Sequence, residues 1–186
     1  MPTLILGLLL FLGPHIFTRL RNIRDPLEAK LGALPFKGLY SLLALAGFAL
    51  IIIGYGQYRN AGYIELWSPP LALKYLSYLL MIPVFILLIA AYAPGKIKAA
   101  VVHPMLAAVK LWALAHLLVN GDLGSVVLFG SFLAWGLFAR VRLGKAVRVA
   151  APWSLGDTFA VIGGIGGWVT MLLWLHPLLI GVSAIG

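Results

Sequence analysis

Five ionisable side chains lie within or beside the apolar segments of this 186-residue chain, and they are its candidates for chemistry. They are His15, His103, Lys110, His116 and His176. An ionisable group inside a bilayer is costly and is usually functional. Neutral imidazole is a common iron ligand, so two histidines on different helices would suit the two axial positions of a haem. The spacing of the four histidines in the sequence does not show which two of them would bind the iron.

The apolar segment 104–119 carries polar groups on two helical faces. Lys110 follows His103 by seven residues, and two turns of helix bring both onto one face. A second face carries a polar or aromatic residue at every fourth position, namely Trp112, His116 and Asn120. Such a helix cannot show all of these groups to lipid. We therefore expect it to be covered by neighbouring helices.

Each candidate also has a structural interpretation. His103 and His176 precede prolines and could mark helix starts at the level of the lipid headgroups. Lys110 could extend its stem to the interface. His116 and His15 could be hydrogen-bonded within the bundle. The sequence leaves these alternatives open.

The sequence lacks the residues that several other kinds of functional site would need. The five acidic residues lie in connections or at helix ends, so no buried carboxylate pair is expected: Asp25, Glu28, Glu65, Asp122 and Asp157. The chain has no cysteine, which excludes disulfides and thiolate zinc sites. The glycines of 163–167 follow no strand, so they fail as a nucleotide loop. Gly163 and Gly167 instead predict a face for close helix packing.

Composition places the chain in a membrane. It is 62% hydrophobic, with a mean hydropathy of +1.03. Spans of about 20 apolar residues are needed to cross a bilayer, and long runs without alternation indicate helices. We predict an all-α, polytopic bundle of about six transmembrane helices forming a single domain, 1–186. The expected segments are 2–18, 36–56, 73–92, 104–119, 122–139 and 157–175.

The distribution of basic residues predicts the orientation. The first, third and fifth connections carry five, two and four Lys or Arg residues. The second and fourth connections together carry only Arg59 and Lys74. The positive-inside rule makes the basic connections cytoplasmic and both termini external. The net charge of +9 then favours contact with the anionic leaflet of a lipid bilayer and not with nucleic acid.

Four stretches of the sequence resemble the NnrU family of bacterial membrane proteins. The resemblance covers essentially the whole chain and is most specific in the helix after His103. His15, at the end of the first segment, also matches. The matching stretches are His103-Pro104-Met105-Leu106, the run from Val109 to Gly121, Gly38-Leu39-Tyr40-Ser41 and Gly54-Tyr55-Gly56-Gln57.

The resemblance implies a function and a cofactor. NnrU proteins are linked to denitrification, in the reduction of nitrite and nitric oxide, which implies a multi-pass protein of the bacterial inner membrane. Their relatives, the 15-cis-zeta-carotene isomerases, hold haem b between two histidines. These two positions fall on His15 and His116. The isomerases carry a cysteine three residues before the second histidine, and Ala113 stands there, so ligand exchange of that kind is not expected.

Depth in the membrane favours different pairs. The first helix runs inward and the fourth outward, so His15 and His116 would differ in depth by roughly 10–15 Å at 1.5 Å per residue. By depth, His15 pairs better with His103, and His116 with His176. His15 and His116 remain the first expectation because the resemblance is residue-specific. His103 is the rival partner of His15, and Lys110 shares its helix face.

Two other functions remain as alternatives. A membrane methyltransferase that uses S-adenosylmethionine would carry an Arg-His-Pro motif, but Val102 replaces that arginine here. A non-enzymatic assembly or regulatory partner of a respiratory reductase would suit a chain with few catalytic groups. A small apolar ligand and a homo-oligomer are also compatible with the sequence, which does not decide whether the protein is an enzyme.

Overall fold

The fold is helical throughout the part of the chain that is described. A computed structural model of the protein describes residues 1–144 and 149–185. In these ranges the extended pairing is limited to an isolated bridge between Glu65 and Asp122. The all-α prediction is confirmed. The helices are α1 Pro2–Phe17, α2 Arg21–Leu31, α3 Ala33–Asn60, α4 Leu71–Ala90, α5 Lys96–Val101, α6 Pro104–Val119, α7 Leu123–Arg142, α8 Leu155–Thr170 and α9 His176–Ile180, with a π-helical turn at Met171–Leu175 between the last two.

Four helical stretches in the described ranges are long and apolar enough to cross a membrane. They are Ala33–Asn60, Leu71–Ala90, Leu123–Arg142 and Leu155–Ile180. The pair formed by α1 and α2 would add a fifth, although it bends by 91°. Helix α6 has 16 residues, which span about 24 Å at 1.5 Å per residue, short of the roughly 30 Å hydrocarbon core. A membrane protein is supported, while six spans and external termini stay predictions.

Helix boundaries follow local signals. Gly32, with φ of 84°, separates α2 from α3 because this backbone conformation is easy only for glycine. The Asp122 side chain accepts from the Ser125 N–H and starts α7. Ser154 and Asp157 stand just before the last apolar segment of the sequence, where their side-chain oxygens predict helix capping. They form a reciprocal capping box at the start of α8. Helix α2 was not expected, because 19–35 has a polar composition typical of a loop.

The first compact unit contains α1, α2, α3 and α7, within Met1–Pro69 and Asn120–Gly144. Helix α1 packs along α3, and α7 packs on both. Glycines allow the α1–α3 contact to be close: a Cβ on Gly7 would lie 2.6 Å from the Ile51 nitrogen, and Gly47 and Gly54 likewise face the α1 backbone. Small residues at such contacts let helix backbones approach within a membrane.

The second compact unit contains the remaining helices, within Pro70–Val119 and the described part of 145–186. Helix α4 packs against α6 on one side and α8 on the other. A small apolar cluster of Val84, Leu87 and Ala108 lies between α4 and α6. The Asp157 carboxylate, 2% exposed, accepts from the Lys96 and Ile97 amides at 2.9 and 2.8 Å, so it caps α5 as well as α8.

The glycine face of α8 meets α4, but its closest point differs from the one expected. Gly164 is buried, and a Cβ there would lie 2.7 Å from the Cα and nitrogen of Ile86. Gly163 and Gly167 would meet only side-chain carbons, of Ile89 at 3.0 Å and of Phe85 at 3.3 Å. A face for close packing is confirmed, with Gly164 as its centre.

Candidate functional site

His15 is held in one tautomer by its own helix. It follows Pro14 in the last turn of α1, and its Nδ1 lies 2.6 Å from the Phe11 carbonyl oxygen. A carbonyl can only accept, so Nδ1 carries the proton and Nε2 is the nitrogen with the lone pair. Metal-binding histidines commonly donate their second nitrogen to a backbone carbonyl in this way. His15 is therefore prepared to act as a ligand through Nε2.

Aromatic rings surround His15 within the first unit. Its ring stacks on Phe11 at 4.5 Å, contacts Tyr40 at 5.3 Å and meets Trp135 edge-on at 5.6 Å. The Trp135 Nε1 is buried and makes no hydrogen bond to the part of the chain that is described. The imidazole thus has a largely aromatic environment.

His116 repeats the local arrangement of His15. It lies in the last turn of α6, and its Nδ1 is 2.8 Å from the Trp112 carbonyl oxygen, four residues earlier. Its ring also contacts the indole of Trp112, at 5.3 Å between centroids. By the same reasoning Nδ1 is the donor and Nε2 carries the lone pair. Two histidines of different units therefore share one helical motif, in which an aromatic residue precedes the imidazole by four positions.

His176 faces the same cavity as His116. Its Nδ1 lies 2.7 Å from the Val182 carbonyl oxygen, which again assigns the lone pair to Nε2. The cavity has a volume of about 270 Å³ and lies within the second unit. Apart from the two imidazoles, its walls are apolar or aromatic and include Met81, Val84, Phe85, Leu88, Ala108, Val109, Trp112 and Met171.

The π-helical turn between α8 and α9 shapes one wall of this cavity. A π turn adds a residue to a helical turn, changes the register of the residues after it and is frequent at functional sites. Met171 begins this turn and His176 comes directly after it, and both line the cavity. The turn could not be predicted from the sequence, because a run of large apolar residues such as Met171–Leu175 offers no signal for one.

The other two candidates lie in the second unit but outside the cavity wall. His103 precedes α6 and Lys110 lies in the middle of that helix, and both are half-buried. Val102, just before His103, has φ of 62° and ψ of −44°, and the His103 N–H donates to the Val101 carbonyl at 2.7 Å. This is a γ-turn with positive φ, which is rare and strained for a β-branched residue. The turn constrains the backbone on which His103 is placed.

The structure brings His116 and His176 together and assigns His15 to the other unit. The pairing of His15 with His116, and its rival with His103, each join residues of different units and stay predictions. Within the second unit the arrangement agrees with the depth argument, which paired His116 with His176.

Two imidazoles suit some metal centres and not others. Among the described residues, no three His, Cys, Asp or Glu side chains converge into a metal site. Zinc needs three or four protein ligands, which the described lining of the cavity does not offer. An iron already held by a porphyrin needs only axial ligands, and two histidines can supply them. The chemistry of the donor set and of the apolar walls is therefore compatible with a haem. No Lys or Arg is among the described lining residues, so the haem propionates would have to leave through the cavity mouth.

Comparison with known proteins gives one result on identity. No curated protein and no solved structure matches this chain. The family model described as NnrU protein matches residues 3–184, nearly the whole length. The chain therefore belongs to the NnrU family.

Proposed function

We propose that this protein is a membrane haem protein that binds haem b in the cavity of its second unit. His116 and His176 would hold the group, each through Nε2. One observation carries the proposal: two imidazoles, each with Nδ1 anchored to a backbone carbonyl, line a single apolar cavity. Such anchoring orients a ligand and raises its basicity.

Backbone carbonyls and aromatic side chains around the cavity have different roles in this proposal. The Trp112 and Val182 carbonyls hold the two imidazole rings and keep their lone pairs on Nε2. Phe85 and Trp112 supply flat apolar surface for the macrocycle and exclude water. When bound, the haem would supply an iron centre that exchanges electrons or activates a ligand. A dry environment then tunes its potential.

The chain lacks the sulfur ligand that an isomerase-like ligand exchange would need. Ala113, three residues before His116, is fully buried in the core of the unit and offers no sulfur to exchange with imidazole. We therefore propose a site with fixed ligands, in which a small apolar substrate or partner approaches without sulfur ligation.

Membership in the NnrU family is the basis for a proposal about the biological setting. We propose that the protein lies in the bacterial inner membrane and supports denitrification beside a respiratory reductase. Membership in the NnrU family and the apolar helices support this proposal. Co-purification of a reductase subunit with the tagged protein would favour it. Turnover by the isolated protein would favour an enzyme acting alone.

Absorption spectroscopy tests the haem proposal directly. The protein is expressed with ample haem, purified in detergent and measured oxidised and reduced. We expect a Soret band that His116→Ala and His176→Ala each abolish or shift. His103→Ala is the matched control, because His103 does not line the cavity, and its spectrum should equal that of the unmodified protein.

Two results would contradict the proposal. A colourless protein would remove the cofactor altogether. A spectrum altered by His15→Ala but not by His176→Ala would replace the second ligand with His15, in agreement with the pair implied by the family resemblance.

A further inference from the structure

A second cavity lies in the first unit and has the opposite character. It has a volume of about 290 Å³ and lies where α1 gives way to α2 and α3. Three of its side chains are cationic, namely Arg19, Arg24 and Lys37, and one is a carboxylate, Glu28. Thr18, Phe36 and Tyr40 complete the lining. The cavity therefore has a formal excess of two positive charges.

The acidic residues near this cavity neutralise one arginine and not the other cations. The Arg24 Nη2 donates to the Glu28 Oε2 at 2.8 Å, and its Nε lies 4.0 Å from Asp25. In the described ranges these are the ion pairs of the unit. Arg19 and Lys37 thus bring two cations to one cavity with no carboxylate of the described chain against them.

Two arginines of the cavity lining each have a donor without an acceptor among the described residues. The Nε atoms of Arg19 and Arg24 are shielded from solvent and have no hydrogen-bond partner in the described chain. A shielded donor that lacks an acceptor carries a desolvation cost, even where the rest of its side chain is partly exposed, as that of Arg24 is. The penalty is removed if a ligand supplies oxygen acceptors. Guanidinium donors match the geometry of phosphate oxygens particularly well.

The surroundings of the cavity indicate where such a ligand comes from. Helix α2 turns 91° away from α1, so it runs near the membrane plane if α1 crosses the bilayer. Its exposed apolar side chains recur at intervals of four, at Ile23, Leu27 and Leu31, and form one stripe. This is the pattern of a helix lying at a lipid interface. The positive-inside rule assigns this level to the cytoplasmic leaflet, where anionic lipids lie.

We propose that this cavity binds the phosphate group of an anionic phospholipid of the cytoplasmic leaflet. Arg19 and Lys37 supply the charge, Arg24 adds its unsatisfied donor, and Tyr40, which also lines the cavity, can donate a further hydrogen bond through its hydroxyl. Helix α2 rests its apolar stripe among the acyl chains. The site is independent of the haem proposal, since its residues belong to the other unit and none of them lines the haem cavity.

Lipid titration of the full-length protein in detergent tests this proposal. The probes are phosphatidylglycerol, phosphatidylcholine and inorganic phosphate, and the readouts are thermal stability and native mass spectrometry. We expect phosphatidylglycerol to bind and stabilise the protein, and phosphatidylcholine to have little effect. Inorganic phosphate should have no effect at concentrations where the lipid saturates.

Matched variants separate a built site from general electrostatic attraction. Arg19→Gln with Lys37→Gln should weaken phosphatidylglycerol binding by about tenfold or more, since charge-assisted contacts to phosphate are lost. Arg21→Gln with Lys30→Gln removes the same charge from exposed positions of α2, outside the cavity, and should bind almost as the unmodified protein does. Tyr40→Phe serves as a gentler variant that keeps the ring, and it should weaken binding by a smaller factor.

Three outcomes would overturn the proposal. Equal loss of binding in the two double variants would show diffuse attraction without a site. Equal binding of phosphatidylcholine would remove the role of lipid charge. Saturation by inorganic phosphate at the same concentrations would assign the cavity to a soluble phosphate and exclude the lipid as its ligand.

Discussion

The contact between α8 and α4 at Gly164 allows a quantitative test of the fold. A Cβ added at this residue would lie 2.7 Å from the Cα, the nitrogen and the Cγ1 of Ile86. Carbon atoms pack at about 3.5–4.0 Å, so Gly164→Ala must push the two helices apart by about 1 Å. Two of the three atoms belong to the backbone of α4, and no rotamer change can move them.

The expected size of the effect follows from two opposing contributions. Overpacking of a well-packed contact costs about 1–3 kcal/mol. Replacing glycine by alanine inside a helix contributes about 0.5–1 kcal/mol in the stabilising direction. Gly166→Ala is the matched control, because Gly166 lies in the same helix, is exposed and would place its Cβ in space with nothing within 4 Å. The helix propensity gained from alanine is the same in both variants, so it cancels when their free energies of unfolding are compared. The remaining difference should be about 1–3 kcal/mol.

Unfolding of the protein in lipid bicelles by added dodecyl sulfate, followed by near-ultraviolet circular dichroism, would measure this difference. We expect Gly164→Ala to unfold at a lower fraction of dodecyl sulfate than Gly166→Ala. The double variant with Ile86→Ala should recover only part of the loss, because it removes the Cγ1 contact and leaves the backbone contacts. Equal unfolding midpoints for the two glycine variants would refute the close approach of α8 to α4.

Three further predictions address other parts of the chain. Gly7→Ala should destabilise the protein by about 1–3 kcal/mol, because its new Cβ would meet the α3 backbone. Gly13→Ala is the control and should not destabilise it, since a Cβ there would have nothing within 4 Å. Equal effects of the two variants in the same unfolding assay would contradict the α1–α3 packing. Val102→Gly should stabilise the protein by about 1 kcal/mol because it relieves a positive φ, and a lower unfolding midpoint would argue against the strained turn. Since the chain has no cysteine, an impermeant maleimide applied from outside the cell should label Asn60→Cys but not Lys30→Cys, and the reverse would invert the predicted orientation.

Elements governed by local chemistry were predictable from the sequence. Helix α6 occupies Pro104–Val119, as the apolar segment 104–119 predicted. Ser154 and Asp157 cap α8, and this cap can be read from the sequence because a capping box needs only residues three positions apart. Hydropathy and proline or glycine breaks likewise depend on neighbours in the sequence. The existence and type of the apolar helices follow from them.

The exceptions depend on a bend or a change in helical register. Helix α2 has too polar a composition to be read as a membrane segment, yet its apolar stripe can rest at an interface once α1 ends and the chain turns by 91°. The π turn at Met171–Leu175 changes the register before His176. The stripe of α2 can be read from the sequence as Ile23, Leu27 and Leu31, but the bend that places it cannot, and the π turn leaves no sequence signal.

The sequence by itself determined that this is an α-helical membrane protein whose candidate ligands are histidines, because apolar length and residue type are properties of the chain alone. The tertiary structure decided which groups meet. It placed His116 and His176 on one cavity, carried Asp157 to the amides of Lys96 and Ile97, and made Gly164 the point of closest approach between α8 and α4. These contacts join residues many positions apart through helix packing. No local pattern encodes that packing, because it depends on how whole helix surfaces fit together.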